Sequence, residues 1–232
     1  MKLLNKFFLA AIAMTAAAGA WADHFPMEHY DYGVVKAPKG TEWNDPSVLA
    51  LNKEMPRAWF FSFQNKDNAR KVLPENSSYW KSLNGTWKFN FAKTPEQRPA
   101  DFYKYGYDDS KWDNLQVPGN WNVQGINKSN GSLKYGAPIY VNQWVIFGSE
   151  VREGDWKKGV MRDRPQNYTT YEYRNEVGSY RRSFEVPEDW DGREVYIAFD
   201  GVDSFFYLWI NGQYVGFSKN SRNAARFDIT KY

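Results

Sequence analysis

The sequence predicts an all-β protein, an antiparallel β-sandwich or jelly roll, and three observations carry that prediction. The first is a hairpin signature. In SFFYLWINGQYVGFSKNS, Asn211-Gly212 separates the aromatic and β-branched runs Phe205–Ile210 and Gln213–Phe217, and both central turn positions need the positive φ that Asn and Gly tolerate. The second is alternation. Trp87, Phe89 and Phe91 alternate with Lys88 and Asn90 in YWKSLNGTWKFNFA, the period of a half-buried strand. The third is punctuation: turn residues recur every ~8–12 residues, as in sandwiches, and no helical pattern outlasts two turns.

The elements follow in order. Residues 1–22, MKLLNKFFLAAIAMTAAAGAWA, set Lys2 and Lys6 ahead of an apolar run from Phe7 to Ala18 and an Ala20-Trp21-Ala22 end. That is the layout of a secretory signal peptide cut before Asp23, and the run is shorter than the ~20 apolar residues of a membrane span. Residues 23–78 keep no period and read as an extended, irregular arm, with room for one helical turn before Pro56 in DPSVLALNKEMPRAWFFSF. The strands begin at Tyr79 and the domain runs over 79–232. After the alternating strand, DDSKWDNLQVP reads as a polar loop returning to a strand, and residues 143–179 read as a long polar loop carrying Trp144 and Trp156. Two further strands flank the Pro187-Glu188-Asp189-Trp190-Asp191-Gly192 turn, and the hairpin follows.

Composition excludes several functions. There is no cysteine, so an exported chain must be held by core burial alone, and thiol catalysis and Cys-based metal sites are ruled out. His24 and His29 stand five apart without further ligands and read as uncoordinated. The 30 basic and 27 acidic residues are interspersed, without the basic stripe that nucleic-acid binding needs. Aromatic residues make up 19% of the chain, with 11 Trp and 16 Tyr, which fits a sandwich core and a carbohydrate-binding surface equally well.

One turn stands out. VPGNWNVQG, residues 117–125, puts Asn120 beside Trp121 with Gly119 and Gly125 on either side. An aromatic face next to an amide suits a sugar ring, although such a turn by itself reads more readily as a strand end whose Trp packs the core. The acidic pairs Asp108-Asp109 and Glu188-Asp189 read as turn residues.

Four blocks, SLNGTWKF (82–89), VPGNWNVQG (117–125), YGAPIYVN (135–142) and FDGVDSFFYLWINGQYVGFSKNSRNAARFDIT (199–230), resemble in this order the amino-terminal sugar-binding jelly roll of glycoside hydrolase family 2, a galactose-binding-domain-like fold. The Asn-Trp turn together with APIYVN is most similar to the β-galactosidases of that family. The resemblance implies hydrolysis of terminal β-D-galactosyl residues by retaining double displacement. It also implies that Asn120 reaches into the active site of a neighbouring barrel and binds galactose hydroxyls. Trp121 is then expected to brace the turn, and Asp203 and Trp209 to have no ligand role. The implied partner is a galactoside or oligosaccharide, not nucleic acid, nor a membrane once the leader is cut. The implied location is periplasmic or extracellular, and a homo-oligomeric full-length enzyme is compatible with it.

Retaining hydrolysis needs two carboxylates about 5 Å apart, and in the family both glutamates lie in a downstream barrel. The resemblance therefore implies no catalytic residue and no metal ligand in this chain, with the Mg and Na of the full-length enzyme bound elsewhere. Asn175-Glu176 repeats the family's acid/base dipeptide but lacks the Trp-Gly that precedes it, and is not expected to act as an acid. Two departures bear on the pocket: INKSNGSLK (126–134) is inserted after the turn, and the segment Gln143 to Gly178 is longer than usual. The final ARFDITKY reads as a turn leading into another strand, so the expectation is an incomplete jelly roll, inactive alone, at the front of a longer enzyme. The alternatives are a stand-alone carbohydrate-binding module, or the same family with β-glucuronidase or β-mannosidase specificity.

Overall fold

A computed structural model describes residues 36–58, 60–136 and 176–232, with Asn44 by its backbone only. The leader, His24 and His29, APIYVN and the 143–175 stretch lie outside the described residues. Within them run β1 (Ala50–Leu51), β2 (Gly85–Ala92), β3 (Asp113–Val117), β4 (Val177–Arg181), β5 (Tyr196–Phe199), β6 (Phe205–Ile210), β7 (Gln213–Lys219) and β8 (Ala225–Asp228). They form antiparallel sheets ordered β1-β7-β6, β3-β2-β4 and β5-β8. The α-helices described are the short Lys66–Arg70 and Trp121–Gln124, so the described residues form the all-β fold that the sequence predicts.

The hairpin forms where Asn211-Gly212 requires it. Asn211 and Gly212 take φ of 50° and 80°, the left-handed pair of a two-residue hairpin turn, and Ile210 pairs with Gln213. A register shift between Leu208 and Trp209 turns Val215 fully inward. Ile197, Leu208, Val215, Ala225, Phe227 and Ile229 then close one core cluster between the hairpin and the β5-β8 pair. Phe227 and Val215 are fully buried, each such side chain contributing about 1.5–3 kcal/mol. The structure departs from the expectation for ARFDITKY. Ala225–Asp228 is itself strand β8, because Ala225 and Phe227 alternate inward, and the turn comes after it, capped where Asp228 Oδ1 accepts from Thr230 N at 2.8 Å.

The arm adds a strand to this sheet. Leu51 pairs with Phe217, Lys219 N donates to Leu49 O at 3.0 Å and Glu54 N donates to Arg226 O at 2.8 Å. The approach is close enough that a Cβ on Gly216 would lie 2.1 Å from Leu51 O. The helical turn expected inside DPSVLALNKEMPRAWFFSF is not there. A 3-10 turn precedes it at Glu42–Asn44, and the stretch becomes an edge strand because buried Leu51 finds its partner on β7. Glu42 ties this arm down. Its buried carboxylate accepts from Tyr207 Oη at 2.7 Å, from Lys39 N at 2.7 Å and from Thr41 N at 3.1 Å. Burial alone would raise its pKa, but the Tyr207 and backbone bonds outweigh that and hold it below the ordinary value.

The second core cluster gathers on β2. Phe89, with no exposed surface, meets Tyr180 at 4.8 Å, Tyr135 at 5.1 Å and Trp121 at 5.8 Å between ring centroids. Leu115 and Phe91 complete the cluster. Burial pushes the Tyr180 hydroxyl up to about 12. The β2–β4 register sets Gly178 opposite Phe91, where a Cβ would lie 2.5 Å from Trp121 Cζ3 and 2.8 Å from Phe89 Cε2. The indole occupies the space that a side chain at 178 would take.

Two outcomes follow for stability. Tyr207→Phe should cost about 2 kcal/mol at neutral pH, as for a hydrogen bond to a charged group. Since Glu42's folded pKa is depressed, its contribution is present above the ordinary value of 4.5 and fades as the pH falls through the lowered one. Urea melts of parent and variant should therefore differ fully at neutral pH and converge in acid. Gly178→Ala should cost about 1–3 kcal/mol by overpacking and displace the Trp121 ring, read as a melting shift with a change in tryptophan emission.

Candidate functional site

The Asn120 turn is built from strand end to helix start. β3 ends at Val117, the Val117–Pro118 bond is cis, and Asn120 is the N-cap of the helical turn Trp121–Gln124. Trp121 points into the β2 cluster, 6.4 Å from Phe91 and 6.4 Å from Tyr180 between centroids. It is a brace, as the resemblance implies. Asn122 Nδ2 donates to Tyr135 O at 3.0 Å, and Lys134 N donates to Gly125 O at 2.9 Å. Together these fix the far end of the turn.

Asn120 itself faces outward. Its backbone carbonyl accepts from Gln124 N at 3.1 Å, while its side chain makes no cap hydrogen bond and the residue is exposed. An N-cap asparagine ordinarily spends its side-chain oxygen on the first-turn N–H groups. This one leaves a carboxamide, with one acceptor oxygen and two N–H donors, presented at the surface. Asn120 shares an open cleft with Gly119, Trp121, Val123, Glu176 and Gly178, and Val123 adds an apolar patch, 56% exposed. Such a surface offers polar partners for hydroxyls beside apolar area for a ring face.

The turn is also clamped in a way the sequence gives no hint of. Gln116 N donates to Gln124 Oε1 at 2.9 Å, and Gln124 Nε2 donates to Gln116 O at 2.9 Å. The insertion that follows is a hairpin-like loop: Ile126 bridges Leu133, Ser129 N donates to Asn127 Oδ1 at 2.9 Å, and Lys134 Nζ meets Asp113 Oδ1 at 2.6 Å. That hydrogen bond from Lys134 holds the Asp113 carboxyl below the usual range.

The other singled-out residues have structural places. Asp108 caps Ser110 N at 2.9 Å, as turn residues do. Asp109 pairs with Arg181 at 2.7 Å, and Arg181 also donates to the carbonyls of Phe102 and Lys104. That staple carries no sequence signature. Glu188 and Asp189 lie exposed in a 3-10 turn. Trp209 stacks on Tyr103 at 5.3 Å and Asp203 is exposed. Glu176 lies against Gly136, where a Cβ would come 2.4 Å from its Oε1. Among the described residues no three His, Cys, Asp or Glu side chains gather as a metal site.

Comparison with known proteins gives this geometry a family. The profile described as "Glycosyl hydrolases family 2, sugar binding domain" matches residues 80–232. The β-galactosidase of Priestia megaterium is 36% identical over 192 residues, covering 82% of this chain and 16% of that protein. The β-galactosidase of Halalkalibacterium halodurans is 34% identical over 199 residues, covering 85% and 17%. The β-galactosidase large subunit of Leuconostoc lactis is 34% identical over 195 residues, covering 82% and 29%. The chain thus spans under a third of the length of these relatives. Among solved structures, a Bacteroides uniformis β-glucuronidase matches 65% of this chain and 12% of its own at 19% identity and a TM-score of 0.39. With its profile match running from Trp80 through Tyr232, this chain belongs to glycosyl hydrolase family 2 and carries that family's sugar-binding domain.

Proposed function

We propose that this chain is the front portion of an exported β-galactosidase, periplasmic or extracellular, that hydrolyses terminal β-D-galactosyl residues with retention. In this reading Asn120 holds hydroxyls of the galactosyl ring, and the two glutamates of the double displacement belong to a part of the polypeptide beyond this chain. The observation that carries it is the uncapped, exposed carboxamide of Asn120 at the end of a rigidly braced turn. The β-galactosidase names of the relatives at 34–36% identity support the choice of sugar. Among the described residues no three His, Cys, Asp or Glu side chains gather as a site for the sodium and magnesium that the resemblance implies for a full-length enzyme. The partner is a galactoside or oligosaccharide, and a homo-oligomeric full-length enzyme is compatible with the reading.

The chemistry asked of this domain is positional. A carboxamide both donates and accepts, so it can hold two adjacent hydroxyls in one orientation, and orienting the ring against the reacting carboxylates lowers the barrier without any proton transfer here. The test is to recover the native protein from its host with an antibody to residues 79–232, weigh it intact, and assay aryl β-galactosides, β-glucuronides and β-mannosides. A mass several-fold above the 27.1 kDa of this chain together with galactoside hydrolysis is expected. A mass matching residues 23–232 would leave a binding module, and preference for a glucuronide or mannoside would overturn the choice of sugar. In the active protein Asn120→Ala should lower kcat/KM for the galactoside by about 30-fold, near 2 kcal/mol for removing a hydrogen-bonding group from a desolvated site.

A further inference from the structure

We infer that Gln124 is a positioning residue for substrate: its carboxamide holds the 117–123 turn in the one register that presents Asn120 to a sugar ring. This rests on the reading of Asn120 as the sugar contact. β3 is an edge strand of its sheet among the described residues, and the N–H and C=O of Gln116 are both taken by the side chain of Gln124, at 2.9 Å each. A carboxamide carries a donor and an acceptor side by side, as a peptide group does, so Gln124 pairs with the strand edge as a neighbouring strand would. The same residue's backbone N–H donates to Asn120 O at 3.1 Å. Gln124 therefore grips the strand with its side chain and the presenting residue with its main chain.

Two further observations show that the surroundings are built around this clamp. A Cβ on Gly119 would lie 2.4 Å from Gln124 Nε2 and 2.9 Å from Gln116 O, so residue 119 has to be glycine for the amide to reach the strand. On the other side, Gln116 Nε2 donates to Thr86 Oγ1 at 2.8 Å, continuing the chain of bonds onto β2. These bonds are exposed, and water competes for them, so their net contribution to global stability is small. Trp121 keeps the turn attached to the core. The clamp sets the angle at which residue 120 leaves it.

The test uses the intact protein of which this chain is the front portion, and reads the affinity of parent and variants for methyl β-D-galactoside as competitive inhibition of aryl β-galactoside hydrolysis, with backbone hydrogen exchange followed by mass spectrometry. Asn120→Ala is expected to abolish measurable inhibition by methyl β-D-galactoside. Gln124→Met, which keeps the length and removes both hydrogen bonds, should weaken binding roughly tenfold at an unchanged melting temperature and speed hydrogen exchange at Gln116 N–H. Gln124→Glu keeps the acceptor and loses the donor, and should fall between parent and Gln124→Met. Gly119→Ala should reproduce the Gln124→Met defect, and the double variant should be no worse than either single one, since both break the same contact. Parent-like binding by Gln124→Met while Asn120→Ala is silent overturns the positioning role alone. A loss of affinity that tracks a fall in melting temperature overturns it in favour of plain structural support. Absence of galactoside binding by the parent, or parent-like binding by Asn120→Ala, overturns the sugar-contact reading and the positioning role with it, and Gln116 exchange still reports whether the clamp forms.

Discussion

The seating of the Trp121 ring in the gap above Gly178 is the contact on which the exposed turn depends. The gap is made by strand register: β4 pairs with β2 so that Gly178 stands opposite Phe91 and Tyr180 opposite Phe89. A slip of one residue would exchange the two faces of β4 and put a side chain where the indole now lies. The register is itself fixed by burial of Phe89 and by the ring contacts of Tyr180. A local strand pattern thus reaches, through one missing Cβ, the orientation of a turn more than fifty residues earlier in the chain.

The rest of the described chain is held by long-range straps rather than covalent bonds, since it contains no cysteine. Arg181 on β4 reaches across to Asp109 and to the carbonyls of Phe102 and Lys104. The loop it fixes lays Phe102 and Tyr103 against Trp209 of β6, at 5.3 Å each. One guanidinium therefore links the β3-β2-β4 sheet to the hairpin. Glu42 does the equivalent work for the arm through Tyr207. Both devices satisfy a charge with several hydrogen bonds, which is what makes a half-buried ion tolerable. Arg181 and Asp109 expose only 24% and 27% of their side chains, so solvent screens the pair less than it does the surface bridge of Arg70 and Asp67, at 71% and 86%.

What the sequence made legible was local. Asn211-Gly212 announced the hairpin because its constraint is two backbone dihedrals, and Trp87, Phe89 and Phe91 announced β2 because their constraint is a period of two. β1 was illegible: it is two residues long, and only Gly216 at the far end of the chain leaves room for it. Glu42 could not be foreseen because Tyr207, its partner, is 165 residues away. The sequence reads as a turn at ARFDITKY where strand β8 forms, because a run of four alternating residues is too short to outweigh the turn residues beside it. At the site, residue pattern alone favoured a packing role for the whole Asn-Trp turn, and only the family resemblance separated Asn120 from Trp121. In the structure the Trp121 ring packs in the core and the neighbouring Asn120 is exposed. Gln116 and Gln124 were invisible, since a side chain bonded to a backbone has no period and no characteristic spacing.

The turn is assembled as an anchor, a clamp and a display, and the three make different demands on sequence. The anchor must be large and apolar, and Trp121 meets that with ring contacts on three sides. The clamp must present donor and acceptor together, which among uncharged side chains leaves Asn and Gln, and only the longer reaches from the last residue of the helical turn back to Gln116. The display residue must leave its own helix uncapped, forgoing about 1 kcal/mol. A serine or aspartate that did cap would stabilise the turn more and present less. An asparagine left outward at that position is the choice expected if the carboxamide is kept for a partner outside this domain.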